Sequence, residues 1–535
     1  MTTTSDMSTH DPSALRAQWY RDGWYSRQTC AEALTAAATR HPDAPVVFAG
    51  SDDGRTTSVG DILRDAVAVA AALQGLGVGP GDAVAVQLPN RYECAVAYAA
   101  TLLTGAILVP VVHIYGPSEV EFILEQSGAE VLVMPDRWRS TDYTERIGRL
   151  RGIDTLEHVV IVGDDVPDGA LAWSALDRDH DYVLPAADAD DVCLLIYTSG
   201  TTSAPKGVQH SHNSLLTEQR TAPLVLGAGS DDVQLVSFPP GHVAGVGSVL
   251  RPLLHGREVV YMDAWDPRRA VDLIERYAVT STSGTPFHLT GILDLAATDT
   301  ELASLREFMV GAATVSRELG ERAAAAGITT FRCYGSTEHP TISSGRFDDP
   351  PEARLRTDGA PMPGVQIRIV DEHGCDVPTG SDGEVVTRGP DQFVGYRDAA
   401  LNVSAFTDGW LRTGDVGRLD ADGRLTITDR IKDVIIRGGE TISSGQIEDV
   451  LTAHPAVADG VAVAAPDRRY GEVVAAVVVL APGAELGLEE LRQHFFASGL
   501  ARQKTPERLV VVDELPRTAL GKVRKADLRR EHFPA

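Results

Sequence analysis

The segment YTSGTTSAPKG, residues 197–207, gathers hydroxyl side chains, glycines and Lys206 directly after an apolar run. Small residues leave backbone N–H groups open, and a lysine adds a mobile positive charge. Together they make a cradle suited to a polyphosphate. It is not a Walker loop, because Pro205 precedes the lysine and no Ser or Thr follows it. Further along, YGSTE at 334–338 puts an aromatic face, hydroxyls and a carboxylate on one turn, enough to stack a base, hold a phosphate oxygen and ligate Mg²⁺. TGD at 413–415 offers a carboxylate at a tight turn, suited to a ribose diol. DRIKD at 429–433 and PRTALGK at 516–522 follow, and Gly521 lets the backbone turn so that Lys522 projects. Apart from the first, each segment read alone is as well explained by a surface turn.

Histidines supply a second set of candidates. His242 lies in FPPGHVAG at 238–245, and read alone it is an ordinary loop histidine. His210 and His212 sit two apart on what reads as a strand, facing alike, and lack a third metal ligand. GLGVGPGD at 75–82 is glycine-rich, but it follows a helix, precedes a strand and carries Pro80 where GxGxxG needs its third glycine. It reads as a helix–strand connection.

These segments need rigid elements to hold them. Apolar strands at 84–88, 131–134, 159–162 and 192–197 alternate with alanine-rich helices such as 62–73 and 268–277, which predicts mostly parallel sheets covered by helices. From about Gly359 the chain changes to short strands with Gly and Asp turns, at 365–370, 383–388 and 424–428. After Arg430 a small α+β unit follows: helices at 446–452 and 488–498, strands at 461–465, 473–480 and 509–512. The fold class is therefore α/β, with layered parallel sheets, a small β-rich subdomain and a small C-terminal α+β domain. The expected domains are 1–429 and 430–535.

The chain has 535 residues and a formal charge of −27, from 75 acidic and 48 basic side chains. A length of this order buries about 75% of the unfolded surface, so no disulfide or metal staple is required. The acidic balance and the lack of a basic groove exclude nucleic acid. Five scattered cysteines without a CxxC pair suit reduced thiols in a cytoplasmic setting. The polar N-terminus is no signal peptide. The apolar run at 95–114 is interrupted by Thr101, Thr104, Gly105 and Pro110, so it reads as a buried helix running into a buried strand rather than a membrane span. Only five of the basic residues are lysines: Lys206, Lys432, Lys504, Lys522 and Lys525. Where arginine meets nearly every general need for charge, those lysines mark places that require a compact ammonium on a flexible stem.

In this order, the five segments resemble those of the acyl-adenylate-forming superfamily, which includes acyl-CoA synthetases, peptide-synthetase adenylation domains and beetle luciferases. The resemblance spans roughly residues 25–530, and Lys206, Lys432 and Lys522 fall on its motif positions. It implies ATP, Mg²⁺ and CoA. Thr198, Ser199, Gly200, Thr201, Thr202 and Lys206 would hold the β- and γ-phosphates. Tyr334 would pack on adenine, with Gly311, Ala312, Gly335 and Ser336 beside the nucleotide. Thr337 would meet the α-phosphate, Glu338 with Thr198 the Mg²⁺, and Asp415 with Arg430 the ribose. Lys522 would be the mobile catalytic lysine bridging the attacking carboxylate and the α-phosphate. Lys432 would mark the hinge on which the small domain swings, and Gly438 and Gly439 the approach of the pantetheine arm. His242 would gate an acyl pocket lined by Val243, Ala244, Gly245, Val246, Gly284, Pro286, Gly311 and Ala312. Those walls are small and apolar, which favours a medium-chain, cyclic or bulky hydrophobic acid.

Three positions depart from the family pattern: Cys333 for a frequent glycine, Gly445 for a frequent proline, and Ala313-Thr314 for alanine-proline. They touch the adenine wall and the domain interface. The leading expectation is an acid–CoA ligase that works through an acyl-AMP. The alternative is an adenylating enzyme that serves a carrier protein or partner enzyme. An amino-acid adenylator would need an acid near the gate, and residues 238–250 contain none. A light-emitting oxidase would share every motif. A non-catalytic binding protein would be expected to lose Lys522 or Glu338, and a serine hydrolase would need GxSxG, which is absent. The expected partners are a small carboxylic acid, ATP and CoA, with no nucleic acid and no membrane; a homodimer is left open.

Overall fold

The run with membrane-like hydropathy forms a helix, Tyr92–Leu103, a left-handed Gly105 (φ 76°) and a strand, Ile107–Pro110. Every residue of the helix except Glu93 is buried. The reason is its position between two sheets. Val84, Val86, Cys193, Leu194 and Ile196 reach it from one side, and Val46, Phe48, Val259 and Tyr261 complete the same core from the other. A helix with no face in water is apolar all round. No helix among the described residues is long and apolar enough to cross a membrane. The structure is a computed structural model that describes residues 12–534 apart from 51–53, 199–204, 227–231, 297–300, 312–316, 432, 438–439, 469, 499, 501 and 518–522.

The first large sheet runs, in spatial order, through Gly395–Tyr396, Lys206–Ser211, Val192–Thr198, Ile107–Pro110, Ala83–Val86, Ala129–Pro135, His158–Val162 and Leu171–Ala172. Its pairings from Val192–Thr198 onward are parallel, while Lys206–Ser211 folds back antiparallel on Val192–Thr198. The second large sheet has nine strands. Its centre, through Thr329–Tyr334, Glu307–Gly311, Ser281–Gly284, Val233–Val236, Glu258–Met262 and Pro45–Ala49, is parallel throughout. Parallel strands buried on both faces read as continuous apolar runs, which is why those of the first sheet are legible in the sequence, whereas Ser281–Gly284 in the second is not. A third, antiparallel sheet contains Gln366–Val370, Gly383–Arg388, Trp410–Leu419 and Leu425–Arg430.

A fourth sheet joins Glu440–Ile442, Ile435–Arg437, Gly471–Leu480, Val457–Asp467 and Arg508–Val511. Alternation along Gly471–Leu480 serves two cores. Val474, Ala476 and Val478 pack with Ile447, Leu451, Leu491 and Phe495 of the helices Ser444–Thr452 and Leu488–Ala497. Val473, Ala475 and Val477 pack instead with Leu528 of the helix Lys525–His532 and with Phe533. The period of two thus splits one strand between two layers. Ser443 Oγ donates to the Thr428 carbonyl (2.9 Å) and Ser444 Oγ to Asp429 (3.1 Å), tying this unit to the strand before it.

Candidate active site

The hairpin of Val192–Thr198 and Lys206–Ser211 sets Thr198 directly opposite Lys206. A hydroxyl and an ammonium therefore flank the ends of the segment 199–204. Ser199, Gly200, Thr201 and Thr202 themselves lie outside the described residues. Lys206 Nζ stands 5.3 Å over the ring of Tyr396, within reach of a cation–π attraction. Tyr396 in turn donates its hydroxyl to Glu338 Oε1 at 2.6 Å. Burial, and then the Glu338 carboxylate, push the Tyr396 phenol well above its usual value, so it stays a donor. A row Lys206–Tyr396–Glu338 results.

Glu338 is placed by a turn that only glycine permits. A Cβ on Gly335 would lie 1.9 Å from the Pro340 carbonyl oxygen, and its nearest neighbours are all backbone atoms of His339 and Pro340. The turn is closed by Ser336 N–H to the His339 carbonyl (2.9 Å) and Ile342 N–H to the Tyr334 carbonyl (2.9 Å). Two outside bonds fix it to the hairpin side. His210 Nε2 donates to the Thr337 carbonyl (2.8 Å), and Phe393 N–H donates to the Glu338 carbonyl (2.8 Å). Beneath it, buried His339 meets Asp391 (3.0 Å) and Thr387 (3.2 Å).

At the other end of the turn, Tyr334 donates its hydroxyl to Asp415 Oδ2 at 2.6 Å. Arg430 Nε lies 3.1 Å from Asp415 Oδ1, and the two residues are register partners on neighbouring strands. Burial and the Asp415 carboxylate raise the Tyr334 phenol. Gly311 pairs with Cys333 on the adjacent strand, and a Cβ there would meet nothing within 4 Å. The side-chain position of Gly311, next to the Cys333 that precedes Tyr334, is therefore open.

The 238–245 loop packs on the end of the strand Ile107–Pro110. A Cβ on Gly241 would lie 2.5 Å from Val112 N, and one on Gly245 1.9 Å from the Pro239 carbonyl oxygen. His242 is the N-cap of the helix Val243–His255, but its side chain caps nothing, and its Nε2 is buried without a hydrogen-bond partner. Burial holds His242 down to about 4. His113 is likewise held down to about 4, by burial and then by His242. Both rings are neutral at pH 7, so His242 presents an imidazole rather than a cation. Val243 and Val246 line a cavity with Leu194, Leu215 and Pro340. A Cβ on Gly284 would lie against His288 and Phe308.

Several expectations need revision or fall outside the described residues. His210 and His212 do not share a strand face. The strand ends at Ser211, which caps the helix His212–Thr221, and the two rings take separate partners. His212 Nδ1 accepts the Cys30 amide (3.1 Å) beside Cys193, in the core between the sheets. All five cysteines are free. Ala312, Lys432, Gly438, Gly439 and Lys522 lie outside the described residues. Lys504 bonds Gln446, and Lys525 pairs with Glu448 at 2.7 Å. Tyr396 was missed in the sequence. It stands 58 residues from Glu338, on a two-residue strand paired with Val208, and only that pairing brings it near.

Comparison with known proteins assigns the architecture. The model of the AMP-binding enzymes matches residues 34–397, and that of the AMP-binding enzyme C-terminal domain matches 446–522. The chain is 33% identical to the medium-chain fatty-acid–CoA ligase of Escherichia coli, over 96% of this chain and 92% of that one. It is equally 33% identical to the salicyl-AMP ligase/salicyl-S-ArCP synthetase of Mycobacterium tuberculosis, over 97% and 94%. Among solved structures it superposes on ATP-bound MatB from Rhodopseudomonas palustris with a TM-score of 0.84 and 27% identity, covering 94% and 99% of the two chains. It superposes also on the o-succinylbenzoate CoA synthetase of Bacillus subtilis with ATP and magnesium, at a TM-score of 0.80 and 27% identity, covering 94% and 100%. With its motifs in the family's order and both family models matched, this chain belongs to the AMP-binding enzymes.

Proposed function

We propose that the protein is an AMP-forming acid–CoA ligase. A carboxylate attacks the α-phosphate of MgATP to give acyl-AMP and pyrophosphate. The CoA thiol then takes the acyl group, giving the thioester and AMP. The observation that carries this reading is the meeting of three distant segments, through Tyr396 to Glu338 and through Tyr334 to Asp415 and Arg430. In it, Tyr334 and the open space at Gly311 receive adenine, with Gly335, Ser336 and Ala312 alongside. Asp415 and Arg430 hold the ribose, Thr337 the α-phosphate, and Lys206 with residues 198–202 the outer phosphates.

Mg²⁺ suits an all-oxygen donor set, and the Glu338 carboxylate with the Thr198 hydroxyl supplies one. When bound, the ion neutralises phosphate charge. Lys522 brings the carboxylate to the α-phosphate, where two anions must meet, and its ammonium lowers their repulsion. His242 borders the acyl group without acting as a base, since a carboxylate is already ionised at neutral pH. Gly438 and Gly439 admit the pantetheine arm, and Lys432 marks the hinge between 1–429 and 430–535. The acid is hydrophobic in body, medium-chain or cyclic, which the small residues Val243 and Val246 support. The setting is cytoplasmic, supported by five free cysteines. A homodimer is compatible with this reading, and light scattering decides it.

A panel of carboxylic acids assayed for pyrophosphate release, with and without CoA, tests the proposal. CoA thioester and AMP in equal amounts are expected. Acyl-AMP that accumulates with CoA present, but passes to a carrier-protein thiol, would favour the alternative acceptor, which the salicyl-AMP relative makes concrete. No pyrophosphate with any acid would overturn the reading.

A further inference from the structure

One short segment joins the two large sheets beside the 238–245 loop. The strand Ala83–Val86 is followed by Gln87-Leu-Pro-Asn90, in which Gln87 and Asn90 are both buried. Asn90 Nδ2 donates to the Phe238 carbonyl (2.9 Å) and to the Met262 carbonyl (3.0 Å). Met262 ends the strand Glu258–Met262, and Phe238 lies just past the carboxyl end of its parallel neighbour, Val233–Val236. Asn90 comes from beyond the carboxyl end of a strand in the other large sheet. Both partners are acceptors, so the orientation of the amide is determined and both of its N–H bonds are used.

From Phe238 to His242 the loop has no slack. His242 N–H donates to the Pro239 carbonyl (3.2 Å), and Gly241 and Gly245 pack so closely on Val112 and Pro239 that neither position admits a Cβ. Gln87 holds the wall on which Gly241 rests, since its Nε2 donates to the carbonyls of Val112 and Tyr115, each at 3.3 Å. A shift of Phe238 is therefore passed on to His242 and to the start of the helix Val243–His255. Removing the Asn90 amide would permit that shift and take a donor from two carbonyls.

Resting on the ligase reading above, with His242 beside the acyl group, we propose that Asn90 is a positioning residue of the acid site. It fixes the 238–245 loop across the two sheets and so sets how His242 meets the carboxylic acid. It acts through that loop, not on the acid itself. The nucleotide contacts proposed above stand on other segments, at 198–206, 311–312, 334–338, 415 and 430. The effect of Asn90 therefore falls on the acid and leaves ATP alone.

The test uses the full-length enzyme, the acid panel and pyrophosphate release. Asn90→Ala is expected to raise the KM of the preferred acid by about tenfold, since small misplacements of a binding group have effects of that order or larger. It should also reorder kcat/KM across the panel, while the KM for ATP stays at the wild-type value. In a His242→Ala background the same substitution should cost much less than it does alone, because residues that act through one another are not additive. Asn90→Ser keeps a donor but reaches less far, and should fall between Asn90→Ala and wild type. A lower Tm with both KM values unchanged makes Asn90 a purely structural residue and overturns the proposal. An equal rise in both KM values, full additivity with His242→Ala, or failure of both Asn90 variants to fold overturns it too, and each leaves the ligase reading intact. No pyrophosphate from wild type with any acid of the panel removes the ligase reading, and this inference with it.

Discussion

Glu338, the proposed Mg²⁺ ligand, is a carboxylate held in place by its own surroundings. Tyr396 bonds one of its oxygens, and the backbone on either side is pinned by His210 and Phe393. Removing the phenol should loosen the carboxylate without moving the turn. Tyr396→Phe is therefore expected to raise the Mg²⁺ concentration needed for half-maximal pyrophosphate release, with a loss of about tenfold in rate at low Mg²⁺. Glu338→Gln should lose more, and excess Mg²⁺ should rescue it only partly. Equal Mg²⁺ dependence in wild type and both variants would take Glu338 out of the metal site. Glu218 allows a separate test by pH. Burial, and then the charge of Asp391, push its carboxyl up to about 7 from 4.5. The folded protein thus binds this proton more tightly than the unfolded chain does. Its contribution to stability is complete below about pH 4.5 and is lost as pH rises towards 7. Relative to wild type, Glu218→Gln should gain stability across that window, by up to about 3 kcal/mol, and then level off. Denaturant midpoints of both proteins through the window check this, and parallel curves would refute it.

Among the elements, glycines separate what folds the turn from what leaves room for ligand. Gly335→Ala sets a Cβ against the Pro340 carbonyl with no flexible neighbour to yield, so the turn that carries Thr337 and Glu338 must open. We expect a lower Tm and a loss of adenylation of at least about a hundredfold, since displacing catalytic groups by about 1 Å has effects of that order. Gly311→Ala meets nothing within 4 Å and should leave Tm unchanged while raising the KM for ATP. If Gly311→Ala binds ATP normally, the open space at Gly311 is not the nucleotide slot. This difference also marks the limit of sequence reading. The parallel strands of the first sheet were legible because burial on both faces leaves long apolar runs, and the ordered motifs pointed to the loops of the proposed site. Tyr396 was illegible because a two-residue strand has no period to detect, and its partner is set by topology alone. His210 and His212 misled because alternation by two carries no notice that the strand stops at Ser211 and a helix begins. The burial of the helix His212–Thr221 was illegible for another reason: its side chains are mostly polar, yet nearly all of them are buried.

For the whole molecule, the proposed mechanism asks one small domain to serve two reactions. The sheet that starts at Ile435 pairs its own strands with one another, and Lys525 is committed to Glu448 within that unit. Lys504 is committed to Gln446 there as well. Of the five lysines, that leaves Lys206 at the hairpin, and Lys432 and Lys522, for the chemistry the family resemblance assigns them. In the proposed mechanism Lys522 serves while the carboxylate attacks the α-phosphate, because the charge growing there must be neutralised. Once acyl-AMP exists, the CoA thiol expels AMP and no second anion has to be brought to phosphorus. Lys522→Ala should therefore lose acyl-AMP formation by about a hundredfold or more, the scale seen when a preorganised electrostatic partner is removed. Given chemically prepared acyl-AMP and CoA, the same variant should form thioester at a substantial fraction of the wild-type rate. Lys432→Pro fixes φ at the proposed hinge position and should do the opposite, adenylating well and thioesterifying poorly. Single-turnover measurements of each half-reaction separate the two. Equal loss of both half-reactions in both variants would mean that this protein does not divide its work between two poses of the C-terminal domain.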